Sequence, residues 1–129
     1  MRLLLDSNIV VPLTRRELRN LRTDIVEALE AERNEVYVSA VSLWEIAIKT
    51  RLGKLNPLLP LREIPDYVTS LGFYLLGMAP SHAIEELQEM PETRDPFDQM
   101  LLVQCQAEGL RLMTVDRALK RHPLAWRGP

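Results

Sequence analysis

A chain of 129 residues, 47% of them hydrophobic, is sized for one domain with a substantial core and leaves no room for a second. Its formal charge of -2 gives no general attraction for a phosphate backbone, and aromatics at 5% exclude a base-stacking platform. Any nucleic-acid contact must then rest on local cations, on a metal ion or on a partner.

The apolar run at the N-terminus ends at Asp6, too short for a signal peptide or a membrane span, and the single cysteine, Cys105, excludes an internal disulfide. A soluble, cytoplasmic protein is expected, with Cys105 as a small buried apolar residue. Arg2 to Leu5 reads as a buried strand that delivers Asp6 at its end. A helical segment follows from Asn8. Between Arg16 and Arg33, Leu18, Leu21, Ile25 and Leu29 recur at helical spacing, which predicts one amphipathic helix. Arg15, Arg16, Arg19 and Arg22 beside it read as a solvated face, with RNA phosphates as the alternative use. Val36-Tyr37-Val38 is a short β-branched run, and Ser39 caps a helix that carries Trp44 and Glu45 and stops at Gly53.

Pro57, Pro60 and Pro65 mark a connection with a short helix around Asp66 to Leu71, before a strand over Phe73 to Leu76. A helix is expected from a Ser81 cap to Met90, closed by Pro91. Asp95 to Glu108 is the clearest helix, with Asp95 as N-cap, Pro96 in the first turn and Gly109 as the stop. Leu110 to Thr114 forms the strand beyond it, and the last helical turns run from Asp116 to Arg121.

Strands and helices alternate throughout, which predicts an α/β domain with a central parallel sheet flanked by helices, spanning 1–129. In such a sheet the strand C-terminal ends share one edge, the usual place for a ligand. Asp6 and Asp116 would stand at strand ends on that edge, with Glu45 and Asp98 on helices leaning over it. Crowded carboxylates repel unless a cation lies between them, and oxygen donors suit magnesium or manganese. Each also has a structural reading. Asp6 and Asp116 could cap the helices that follow them, and Asp98 could belong to the capping of the helix begun by Asp95. Glu45 could be a solvated residue of an amphipathic helix, although it lies between Trp44 and Ile46 and too deep in the helix to cap it.

Asp6-Ser7-Asn8 after an apolar strand, Ser42-Leu43-Trp44-Glu45-Ile46 on a helix, Arg94-Asp95-Pro96-Phe97-Asp98 at a helix start and Thr114-Val115-Asp116 resemble, in order, the motifs of PIN-domain ribonucleases, specifically VapC-type toxins. The resemblance covers nearly the whole chain. It implies a magnesium- or manganese-dependent endoribonuclease in which Asp6, Glu45, Asp98 and Asp116 are the catalytic, metal-holding carboxylates and water is the nucleophile. It also implies a cognate VapB-like antitoxin, a homodimer, and an RNA substrate for which transfer RNA is favoured by analogy. Asp95 is left as structural or as an outer contributor. Two positions depart from the family pattern: Gln99 stands where arginine is usual, and Thr93 lies where a histidine often precedes the motif.

Two other readings compete. An aspartyl-phosphate phosphatase also begins with an Asp at the end of the first strand, but needs a second Asp where this chain has Asn8. A catalytically silent PIN-fold interaction module would keep the fold and bind a partner without cleaving RNA. His82 and His122 lack metal-ligand spacing and are expected at the surface or in caps rather than on zinc.

Overall fold

The computed structural model describes residues Met1–Pro129. Four strands, β1 (Arg2–Leu5), β2 (Glu35–Ser39), β3 (Tyr74–Leu76) and β4 (Arg111–Met113), form one sheet in the order β3-β2-β1-β4, every pairing parallel. The predicted parallel α/β architecture is therefore the observed one. β1 lies inside the sheet, which explains its unbroken apolar sequence: Leu3 and Leu5 face one core and Leu4 the other, all fully buried.

Helices cover both faces: α1 (Ser7–Thr14), α2 (Thr23–Glu30), α3 (Ala40–Arg51), α4 (Ile64–Ser70), α5 (Pro80–Ile84), α6 (Pro96–Glu108) and α7 (Arg117–Lys120). Ile9, Val10 and Leu13 of α1, Ile25 and Leu29 of α2 and Val68 of α4 pack on the Leu3–Leu5 side. Leu101, Leu102 and Cys105 of α6 and Leu119 of α7 pack on the Leu4–Leu112 side, so Cys105 is the buried small residue expected, its thiol pushed above the usual range by that burial. α6 ends at Gly109, whose φ of 69° is the left-handed conformation a helix C-terminus favours in glycine. No helix is long and apolar enough to cross a membrane.

Two helices differ from their sequence prediction. The stretch from Arg16 to Arg33 is not one helix: Arg16 has φ 57°, Leu18–Asn20 is a single 3-10 turn, and Leu21 and Arg22 are extended before α2 begins. Leu18 and Leu21 still pack on the core, so tertiary burial maintained the apolar spacing without a continuous helix. The second difference is α5, which ends at Ile84 instead of Met90 and is capped at Ala79 instead of Ser81. The Nδ1 of His82 accepts the Ala79 N–H at 2.9 Å, and Gln106 on α6 captures the chain beyond the helix, accepting from Gln88 N–H at 2.9 Å and donating to Glu86 C=O at 2.8 Å. One side chain distant in sequence thus took the hydrogen bonds that a longer helix would have made.

Both histidines serve the backbone, as expected of caps, but neither is at the surface. His82 is 2% exposed, with Nε2 2.8 Å from Glu108; His122 is 7% exposed and joins Glu89 C=O to Leu124 N–H.

Candidate active site

The parallel pairing puts the residues following β1, β2 and β4 on one edge. Asp6 leaves β1 there, held by its N–H donating to Met113 C=O at 3.0 Å. It occupies the N-cap position of α1, yet its carboxylate accepts no capping hydrogen bond from that helix. The side chain faces inward, 1% exposed, and accepts from Thr114 Oγ1 at 2.7 Å.

Ser39, at the end of β2, accepts from Val41 N–H and so starts α3 as predicted. Its hydroxyl also donates to Gln104 Oε1 at 2.5 Å, tying β2 to α6. α3 then carries Glu45 back to the edge, 3% exposed and far from the solvated position its helix spacing allowed. Its buried charge has two partners: Ser7 Oγ donates to Oε1 at 3.0 Å, and Lys49 Nζ lies 2.6 Å from Oε2.

At the start of α6, Asp95 and Asp98 divide the work. Asp95 caps the helix by accepting from Phe97 N–H at 2.8 Å. Asp98 is directed inward, 7% exposed, and accepts from Thr93 Oγ1 at 3.2 Å. The two departures from the family pattern meet here, because Gln99 Nε2 donates to Thr93 C=O at 3.3 Å and Thr93 in turn serves Asp98. An edge-to-face pair of Trp44 and Phe97, with ring centroids 5.4 Å apart, fixes α3 against the start of α6.

Asp116 takes the capping reading open to it. Its Oδ1 accepts from Ala118 N–H at 2.9 Å and caps α7, while its N–H donates to Thr114 Oγ1, the hydroxyl that bonds Asp6.

The four carboxylates are close enough to act on one another. Burial raises the Asp6 carboxyl above its usual range, the Thr114 hydrogen bond opposes this, and the charges of Glu45 and Asp116 add to the rise. Burial and the charges of Asp95, Asp6 and Asp116 push Asp98 up to about 7, against a lowering by Thr93. Each carboxylate is separately bonded by hydroxyl, amide or ammonium, and no three His, Cys, Asp or Glu side chains are gathered tightly enough to cage an ion in this geometry. Every anionic donor at the edge is nevertheless a carboxylate oxygen, a set that fits magnesium or manganese and not zinc or copper.

Sequence reading missed Lys49. Its ammonium is raised above the usual range by the hydrogen bond to Glu45, with Glu45, Asp95 and Asp98 charges adding to it. The signal was present as a Glu–Lys pair four residues apart on one helix, ordinarily a surface pair of small consequence. In the basic cluster that follows α1, Arg15 pairs with Glu17 and Arg22 with Asp24.

A parallel sheet covered on both faces, with buried carboxylates on its strand-end edge, defines an α/β protein with an acidic edge site. Residues 3–124 match the PIN domain family model, and the chain belongs to that family. A chain of the VapBC2 crystal structure from Rickettsia felis, bound to a DNA fragment from their promoter, has the same fold: TM-score 0.63 and 18% identity, over 97% of this chain and 96% of that one. No curated protein is significantly similar in sequence.

Proposed function

We propose that this protein is a VapC-type toxin, an endoribonuclease that depends on magnesium or manganese. The observation that carries the reading is the convergence of buried Asp6, Glu45 and Asp98, with Asp116 beside them, on the strand-end edge of a PIN domain. Three carboxylates so deeply buried oppose folding, a cost that points to a functional site.

Asp6, Glu45, Asp98 and Asp116 would hold the metal. When bound, the ion supplies an activated water and neutralises charge on the phosphodiester. Thr114 fixes Asp6, Ser7 and Lys49 fix Glu45, and Thr93 fixes Asp98, so the carboxylates are oriented before substrate arrives. None of the hydroxyls at the edge is needed as a nucleophile. Hydrolysis by water leaves a 5′ phosphate and a 3′ hydroxyl.

The same reading brings partners. A small VapB-like antitoxin would lie across the acidic edge and offer a cation to the carboxylates, and a second copy of the chain would complete a homodimer. The cytoplasm is the compartment it needs, and transfer RNA is the favoured substrate by analogy with the family. The VapBC2 complex is the neighbour that supports an antitoxin partner.

Purified protein incubated with end-labelled transfer RNA and messenger-like RNA, with Mg2+, Mn2+ or chelator, tests the proposal. Cleavage should require the ion, leave 5′ phosphates and vanish in Asp6→Asn. Intact RNA under every ion, together with tight binding of the protein product of a neighbouring short reading frame, would establish the silent interaction module instead.

A further inference from the structure

The acidic edge has a basic neighbour. α7 begins directly after Asp116 and presents Arg117, Lys120 and Arg121, all three exposed. None of them has a carboxylate within ion-pair distance; the ion pairs of the chain are Arg15–Glu17, Arg22–Asp24, Lys49–Glu45 and His82–Glu108. Residues three and four apart share a helix face, so the cations project together.

They line an open depression of about 590 Å³ whose other walls are Ala118 and Glu92. Two of its lining residues are chain neighbours of the carboxylate edge. Glu92 precedes Thr93, the donor to Asp98, and Arg117 follows Asp116. Ala118, in its wall, donates its N–H to Asp116 Oδ1 at 2.9 Å, so the depression lies beside Asp116. In a chain of net charge -2, three cations facing one carboxylate form a strong local exception.

The occupant must be anionic and must reach a reaction centre that is itself acidic. A nucleic-acid strand satisfies both conditions, since one phosphate can lie at the carboxylates while those beside it rest on cations. An acidic protein segment fits less well, because Ala118 is the only apolar side chain in the lining and a protein interface normally buries an apolar centre. We propose that Arg117, Lys120 and Arg121 form a phosphate-binding subsite for the RNA backbone adjoining the cleaved bond. This rests on the endoribonuclease reading for its substrate, but its test does not require cleavage.

The test is fluorescence anisotropy of a labelled single-stranded oligoribonucleotide in chelator, over a range of salt, for wild type and for Arg117→Gln/Lys120→Gln/Arg121→Gln. The triple variant should bind roughly tenfold or more weakly at low salt, with a salt slope shallower by about 0.7 for each phosphate that is no longer neutralised. Arg117→Lys/Arg121→Lys, which retains the charge and confirms that the surface tolerates substitution, should bind nearly as wild type. An unchanged affinity and slope in the glutamine variant would overturn the subsite. So would an equal loss of binding to a labelled polyglutamate peptide of matched charge, which would make the face a dock for acidic protein. Cleavage with Mn2+ is scored separately. Variant-sensitive RNA binding without cleavage by the wild type would leave the subsite standing and defeat the endoribonuclease reading. Cleavage with unchanged KM in the triple variant would do the reverse.

Discussion

The hydroxyl of Thr114 joins two strand ends that lie 108 residues apart: it donates to Asp6 Oδ2 at 2.7 Å and accepts the Asp116 N–H at 3.0 Å. Asp6, its acceptor, is the most deeply buried carboxylate of the edge, so this one oxygen both stabilises a buried charge and sets the start of α7. Thr114→Val keeps the shape and removes both roles. It should lower stability by about 1–3 kcal/mol, because Asp6 loses its donor, and should reduce RNA cleavage, while Thr114→Ser should retain most of each. Denaturant titration and a cleavage assay on the pair check this. Equal behaviour of Val and Ser would show that the bond is dispensable.

Lys49 supplies the only ammonium that pairs with the edge. In Lys49→Met, Glu45 remains buried with Ser7 as its remaining donor, and the variant should melt lower than wild type at neutral pH without metal. Added Mn2+ should then raise the melting temperature more in the variant than in the wild type, since the ion replaces the missing cation. Equal metal-induced shifts would mean that Lys49 and the ion do not share Glu45.

Asp95 and Asp98 should separate by stability and activity. Asp95→Ala removes the cap on Phe97 N–H and should cost about 1 kcal/mol, with partial activity retained. Asp98→Ala should abolish cleavage at little cost in stability. The reverse pattern would transfer the catalytic role to Asp95.

The raised Asp98 carboxyl gives a pH dependence of definite sign. Burial and neighbouring charge push it up to about 7 in the native protein, whereas in the unfolded chain it titrates near the usual value of about 4. Across that window the native state holds a proton that the unfolded state has released. The contribution of Asp98 to stability is thus full at acidic pH and is lost as pH rises through about 7. Asp98→Asn should remove this dependence and exceed wild-type stability at pH 8 by at least about 1 kcal/mol. Metal-free denaturant titrations at pH 5 and 8 measure it. A wild type no less stable at pH 8, matched by the variant at both values, would remove the basis for a crowded site. If Asp98 contributes to metal binding, the same proton opposes it, and affinity for Mn2+ should weaken as pH falls.

Much of the framework was legible in the sequence because it depends on local chemistry. Leu3-Leu4-Leu5 had to be a strand covered on both faces, Ser39 and Asp95 had to start helices, and Gly109 had to stop one, because apolar continuity, side-chain oxygens at a helix start and a left-handed glycine act within a few residues. The order of the four acidic motifs likewise pointed to the PIN family. How the carboxylates are held was decided only by the packing of distant elements. Asp6 sits where a cap would, yet turns its oxygens to Thr114, and Glu45 is buried because α3 packs between α1 and α6. The same packing shortened α5 and divided the Arg16–Arg33 stretch: Gln106 bonds the chain beyond Ile84, and the core takes up Leu18 and Leu21 outside a continuous helix. Such partners lie tens of residues away, and no local pattern encodes the distance between them.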